Sequence, residues 1–240
     1  MGDLQPTTRQ ALLRVATSAL TGVLNRRGLR SMFMQDVWPI RHDIPRMVGI
    51  AFTMRFIPSR EDKDGPGAPG RGQVQSQAME TCPPGHVLVV DSRGDARAAS
   101  AGDLYVGRLK ARGCAGIVTD GGLRDTAGIF KTGLPAYHRR ASSPPSPIVH
   151  HPCDLNLAIG CGGVAVYPGD IVVGDCDGVV VIPPDIVDEV AQEALATTLY
   201  EEFAEEEVAR GRALPGLFPV IGEEAKRDFA SWKKARAGEG

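Results

Sequence analysis

The stretch "GDLYVGRLKARGCAGIVTDGGLRD", Gly102–Asp125, decides how this chain folds. A glycine–aspartate start leads into a short helical pattern that ends on Gly113. "CAGIVTD" follows at once, small and β-branched residues that read as a buried strand. The strand ends on Gly121 and Gly122, and Arg124 and Asp125 come directly after. A helix that hands over to an apolar strand through a glycine is the grammar of an α/β fold, where helices connect parallel strands. The residues around this stretch repeat it. "QVQSQAMETC", Gln73–Cys82, is a helix, "HVLVVDS", His86–Ser92, a strand, and "LPAYHRRAS", Leu134–Ser142, a further short strand.

Toward the N-terminus, apolar residues from Leu12 to Leu24 recur near a 3.6-residue period, which predicts one helix over 6–25 capped by Thr7 or Thr8. "MVGIAFTMRFI", Met47–Ile57, is a strand. "PSREDKDGPGAPGRG", Pro58–Gly72, is a mobile loop rich in glycine and proline, with Ser59–Asp62 as a candidate lid. Toward the C-terminus, Gly162–Asp185 predicts three short strands in an antiparallel meander, and Pro184–Arg210 one long helix. "RALPGLFP", Arg212–Pro219, reads as an irregular tail. The expectation is a single domain over residues 1–240, with a core at about 10–183 and a C-terminal helix and tail, 184–240, that pack on a neighbouring subunit.

Composition removes several classes of function. A chain of 240 residues with 42% hydrophobic and 23% charged residues buries a real core. A net charge of -2 and only 5% aromatic residues argue against nucleic acid as a partner. No apolar run reaches membrane-spanning length, and the N-terminus lacks a signal-peptide core, so no membrane partner and a cytoplasmic location are expected. Five cysteines without CxxC spacing suit reduced thiols rather than disulfides or structural zinc.

Three places carry candidate chemistry. Arg124–Asp125 lies past a strand end, where loop side chains face solvent on a fixed scaffold. A carboxylate there can hold a hard dication, and the neighbouring guanidinium can grip an oxyanion. Taken alone, the pair reads as a surface ion pair at a turn. Gly102–Asp103 opens a helix, which leaves the N–H groups of Leu104 and Tyr105 as free donors at a positive dipole end, although Asp103 also suits an ordinary cap. Glu201, Glu202, Glu205 and Glu206 form an acidic face on the long helix, beside an apolar stripe at Leu195, Leu199 and Phe203. "GDCDG", Gly174–Gly178, has part of a calcium-loop pattern but reads as a tight turn, and His150–His151 read as loop histidines. The nucleophile-elbow, P-loop, zincin and dinucleotide-binding patterns are absent.

Two blocks in order, "AGDLYVGRLKARGCAGIVTDGGLRD" and "GGVAVYPGDIVVGDCDGVVVIP", with "GLRSMFMQDVWPI" and "MVGIAFTMRF" before them, resemble the family of the regulator of ribonuclease activity A and the class II 4-hydroxy-4-methyl-2-oxoglutarate aldolases. The resemblance covers about residues 10–217. It implies a swivelling α/β/β sandwich with a mixed sheet, an N-terminal helix and a long C-terminal helix, assembled as a homotrimer or a dimer of trimers. It also implies a Mg²⁺ or Mn²⁺ lyase that cleaves 4-hydroxy-2-oxo acids to pyruvate, with oxaloacetate decarboxylation as a side activity. Asp125 then matches the direct metal ligand, Arg124 the residue on the substrate's carboxylate or carbonyl and the developing enolate, and Asp103 the carboxylate that holds metal-bound water. Gly102, Leu104 and Tyr105 match the cradle for the pyruvate carboxylate. Glu202 or Glu201 matches a glutamate given by an adjacent subunit. The loop at Pro58–Gly72 is longer than the simplest members need, which points to a different, sugar-derived oxo-acid. Dehydration or decarboxylation of such an acid, and a non-catalytic regulator that binds a ribonuclease, are the alternatives.

Overall fold

The computed structural model describes residues 4–70, 72–219 and 222–237. Its N-terminal helix is broken in two, α1 (Pro6–Leu12) and α2 (Thr17–Arg26), where the periodicity predicts one. The break has a tertiary cause. Thr17 donates from both its backbone N–H and its hydroxyl to the carboxylate of Asp175, each at 2.8 Å, so a distant turn caps a new helix start. The expected threonine cap of α1 is not used. Gln5 sits at that position, Pro6 fills the first turn, and the Thr8 hydroxyl bonds instead to Asp188.

A two-residue strand, β1 (Trp38–Pro39), precedes β2 (Met47–Pro58), the long strand about which the molecule is arranged. A single helical turn, α3 (Glu61–Asp64), lies inside the segment read as loop. Then come α4 (Gln73–Thr81), β3 (His86–Asp91), β4 (Ala99–Ala101), α5 (Asp103–Ala111), β5 (Gly116–Thr119), β6 (Gly122–Leu123), α6 (Thr126–Thr132), β7 (Ala136–His138) and β8 (Arg140–Ala141). The strand expected at 134–142 is therefore two strands that serve different sheets. The chain continues through β9 (His150–Leu155), β10 (Ile159–Cys161), β11 (Val164–Val166), β12 (Ile171–Gly174) and β13 (Val179–Ile182) to α7 (Val187–Ala209) and α8 (Glu223–Ala237).

The main sheet runs β1-β7-β5-β3-β2-β12-β13, with β9 on the far half of β2. β2, β3, β5 and β7 are parallel neighbours, whereas β9 and β12 lie antiparallel to β2, so the sheet is mixed. β4, β6 and β8 form a separate small parallel sheet. The expected three-strand meander is instead two hairpins. β11 folds back on β10, and only β12 and β13 continue into the main sheet. Asp170 closes the turn between the hairpins by accepting from the N–H of Tyr167 at 2.8 Å, which redirects β12 against β2.

Burial explains the unbroken apolar run of β3. Leu88 and Val90 face α4, α5 and α6, while Val87 and Val89 face the β10–β11 hairpin and β12–β13. Both sides of the strand are covered, so no polar alternation is needed. A second layer forms where α1, α2 and the first half of α7 pack on Val48, Ile171, Val173, Val180 and Ile182. The second half of α7 packs within the chain too, through Tyr200 and Phe203 on Phe229 and Trp232 of α8.

The two histidines expected in a loop lie on β9. His150 is fully buried and stacked on Phe56, and burial lowers its pKa. His151 pairs with the buried carboxylate of Asp64 at 2.8 Å, which ties α3 to the sheet. All five cysteines are free thiols. Among the described residues no helix is long and apolar enough to cross a membrane. Replacing Leu88 by alanine should cost about 2–5 kcal/mol, because it leaves a cavity between sheet and helices. A denaturation midpoint shift at constant slope would measure it.

Candidate active site

Two strand ends meet here. β4 and β6 pair in parallel, with Ala99 opposite Gly122 and Ala101 opposite Leu123. Each runs directly into a helix, β4 into α5 and β6 into α6, so both helix N-termini emerge at the same edge. The N–H of Arg124 donates to the carbonyl of Ala101 at 3.1 Å and holds the two connections together.

Two glycines permit the approach. A Cβ on Gly102 would lie 2.8 Å from Oδ2 of Asp125 and 3.0 Å from Nε of Arg124. One on Gly128, in the first turn of α6, would lie 2.4 Å from Oδ2 of Asp103. Each helix start therefore presses on the carboxylate of the other through a position where only hydrogen fits. Asp125 has φ +53°, the left-handed region, which is uncommon outside glycine and costs energy unless its surroundings fix it. It occupies the N-cap position of α6 but its carboxylate does not cap that helix.

The residues border a cavity of about 460 Å³. Gly102, Asp103, Leu104, Tyr105 and Arg124 line it, together with Gln75, Ser146 and the prolines beside Ser146. Asp125 touches the site through Arg124, Nε to Oδ2 at 3.2 Å, and both side chains are close to half exposed. The first intrahelical bond of α5 is Val106 N–H to Gly102 O, at 3.1 Å. Among the described residues the N–H groups of Leu104 and Tyr105 have no protein acceptor, so they remain donors at the positive end of the helix.

The donor set suits a hard dication. Asp103 accepts from no donor among the described residues, and Asp125 accepts only from Arg124, so both carboxylates keep free lone pairs. Two carboxylates and room for water match the preference of Mg²⁺ or Mn²⁺ for oxygen ligands with retained hydration. The one three-residue cluster of ligand-type side chains among the described residues lies elsewhere, at Asp175, Cys176 and Asp177. It is the expected tight turn, and the Asp175 oxygens there already accept from Thr17 and Asp177.

Residues 17–181 match the family model described as Aldolase/RraA. The chain belongs to the RraA-like family. A Halalkalibacterium halodurans protein named as a candidate 4-hydroxy-4-methyl-2-oxoglutarate aldolase is 39% identical over 130 residues, 53% of this chain and 60% of that protein. The Legionella pneumophila protein DlpA is 25% identical over 95% of this chain but only 34% of its own length. This chain thus spans less than two thirds of either relative. The solved structure of Streptomyces coelicolor RraAS2, titled an unusual member of the RNase ES inhibitor RraA protein family, superposes with a TM-score of 0.76 at 29% identity, covering 85% of this chain and 98% of that one.

The RraA-like chain does not bring its acidic helix to the cavity. Glu202 pairs with Arg236 of α8 at 2.9 Å. Glu201 lines a different cavity with Tyr200 and Phe218, and burial, then the nearby Glu205, raises its pKa. Sequence reasoning missed Gln75 and Ser146. Their only signal was position, since a helix before a strand and a proline-rich link carry no motif.

Gly102→Ala should leave stability within about 1 kcal/mol, because the atoms in its way are side-chain ends. It should displace Arg124 and Asp125. The expected outcome is a nearly unchanged melting temperature with an at least tenfold weaker grip on a 2-oxo acid, read by calorimetric titration with pyruvate or oxalate.

Proposed function

We propose that this chain is a divalent-metal-dependent lyase that cleaves 4-hydroxy-2-oxo acids to pyruvate, with oxaloacetate decarboxylation as a side activity. One observation carries the reading. The Arg124 guanidinium, the open carboxylate of Asp103 and the free N–H groups of a helix start line a single cavity, and the carboxylate of Asp125 adjoins it through Arg124. Breaking the bond between C3 and C4 of such an acid leaves negative charge on the C2 oxygen. Arg124 lies at the cavity to bind that oxygen or the neighbouring carboxylate, and the donors of Leu104 and Tyr105 hold the carboxylate. Asp125 and Asp103 would hold Mg²⁺ or Mn²⁺, which supplies Lewis-acid stabilisation of the enolate when bound. Asp103 also keeps water in the crevice on the path of the departing hydroxyl proton. Oxaloacetate loses carbon dioxide through the same enolate, which is why one site serves both reactions.

A trimer or a dimer of trimers would let α7 of a neighbour reach this cavity. Of its two candidate glutamates, Glu201 has no cation partner among the described residues, whereas Arg236 neutralises Glu202. Glu201→Gln should therefore lower turnover more than Glu202→Gln, and the reverse order would assign the role to Glu202. The RNase ES inhibitor title of the Streptomyces relative favours a second reading, a non-catalytic binding protein.

Pyruvate release from 4-hydroxy-2-oxo acids, coupled to a reporter enzyme, separates the two. Activity should require Mg²⁺ or Mn²⁺, and Asp125→Ala should lose at least about 100-fold, as when a partner of transition-state charge is removed. Turnover that survives chelation would reject the metal role, and absence of turnover on every acid tried would favour the binding protein.

A further inference from the structure

Two polar residues that line the same cavity as Arg124 have no place in the reading above. Gln75, on α4, is 4% exposed, and Ser146 is 8% exposed, yet both border the open cavity. The Gln75 amide donates from Nε2 to the carbonyl of Ser100 at 2.5 Å, and its Oε1 accepts from the Ser146 hydroxyl at 3.1 Å. These bonds fix the orientation of both groups and tie α4 to β4, which leads into Gly102.

They do not exhaust the pair. A primary amide has two N–H donors and two lone pairs on its oxygen. One of each is used, so among the described residues Gln75 keeps a free N–H and a free lone pair. Ser146 spends its only proton on Gln75 and keeps oxygen lone pairs, and Pro145 and Pro147 beside it have no N–H. The two side chains therefore offer one donor next to acceptor oxygens. A hydroxyl group satisfies both, giving its proton to Ser146 and accepting from Gln75. A carboxylate, which only accepts, would meet two oxygens at close range.

Resting on the lyase reading, the geometry points to Gln75 and Ser146 as specificity-determining residues that read an uncharged hydroxyl on the tail of the substrate. The substrate class is then a 4-hydroxy-2-oxo acid with a hydroxylated tail, as in a deoxy sugar acid, rather than a dicarboxylic acid. In each case C3–C4 breaks, the 4-hydroxyl proton leaves as C4 becomes a carbonyl, and the electron pair on C3 is protonated to give pyruvate.

Three acids that differ only at the tail test this, with the purified 240-residue chain and Mg²⁺: 4,5-dihydroxy-2-oxopentanoate, 4-hydroxy-2-oxopentanoate and 4-hydroxy-2-oxoglutarate. All release pyruvate, with glycolaldehyde, acetaldehyde or glyoxylate as the second product. The dihydroxy acid should exceed both others in kcat/KM by at least about tenfold, mostly through KM, since a site built to bond a hydroxyl is left unpaired without it. In Ser146→Ala, and independently in Gln75→Met, that ratio should collapse to within about threefold. Preference for the dicarboxylic acid, or a tail preference that survives both substitutions, would overturn the inference. Deuterium exchange into the methyl group of pyruvate separates this failure from a wider one. Exchange by the unsubstituted protein without the tail preference sinks the subsite alone. No exchange and no cleavage sinks the lyase reading and the subsite with it.

Discussion

The parallel pairing of β4 with β6 is the constraint on which the site depends. A parallel pair sends both strands to the same edge, so the helices that follow begin side by side. Two hydrogen atoms, at Gly102 and Gly128, set how close those starts come. The spacing forces the carboxylate of Asp103 against α6 and that of Asp125 against the start of α5. Gly102, Asp103, Arg124 and Asp125 each stand within two residues of a strand end, and the helices that follow hold them in place.

Charge in this edge is mixed by design of the backbone. A guanidinium and two helix dipoles favour an anion, while two carboxylates with free lone pairs favour a cation. Either alone would be an ordinary surface feature. Placed together, they suit a ligand that is itself bipolar in its demands, an oxo-acid whose carboxylate seeks donors and whose carbonyl seeks an electrophile. The same cavity is also lined by neutral polar groups, the Gln75 amide and the Ser146 hydroxyl, which are buried and bonded to each other. A molecule that fills it must match both the charged and the uncharged groups.

Much of this was legible in the residues, and the exceptions share a cause. The helix–strand order from Gln73 to Thr119 and the long helix α7 stand close to where their patterns put them. The N-terminal helix is broken because Asp175, more than 150 residues away, captures Thr17. His150 left its expected loop because the far half of β2 needed an antiparallel partner and Phe56 a stacking one. The strands β4 and β6 escaped notice, and β8 reads as one strand with β7, because two or three residues carry no periodicity and β4, β6 and β8 pair wholly with one another.

The sequence by itself determined the α/β alternation, the glycine-bounded helix start at Gly102 and the Arg124–Asp125 pair, because propensity, turn chemistry and apolar runs act over a few residues. Tertiary structure alone decided that the two helix starts meet, that Gln75 and Ser146 line the same cavity as Asp103 and Arg124, and that Arg236 rather than that cavity engages Glu202 within the chain. Such facts follow from which strands pair and which helices cover them, and strand pairing joins residues whose separation along the chain leaves no local trace.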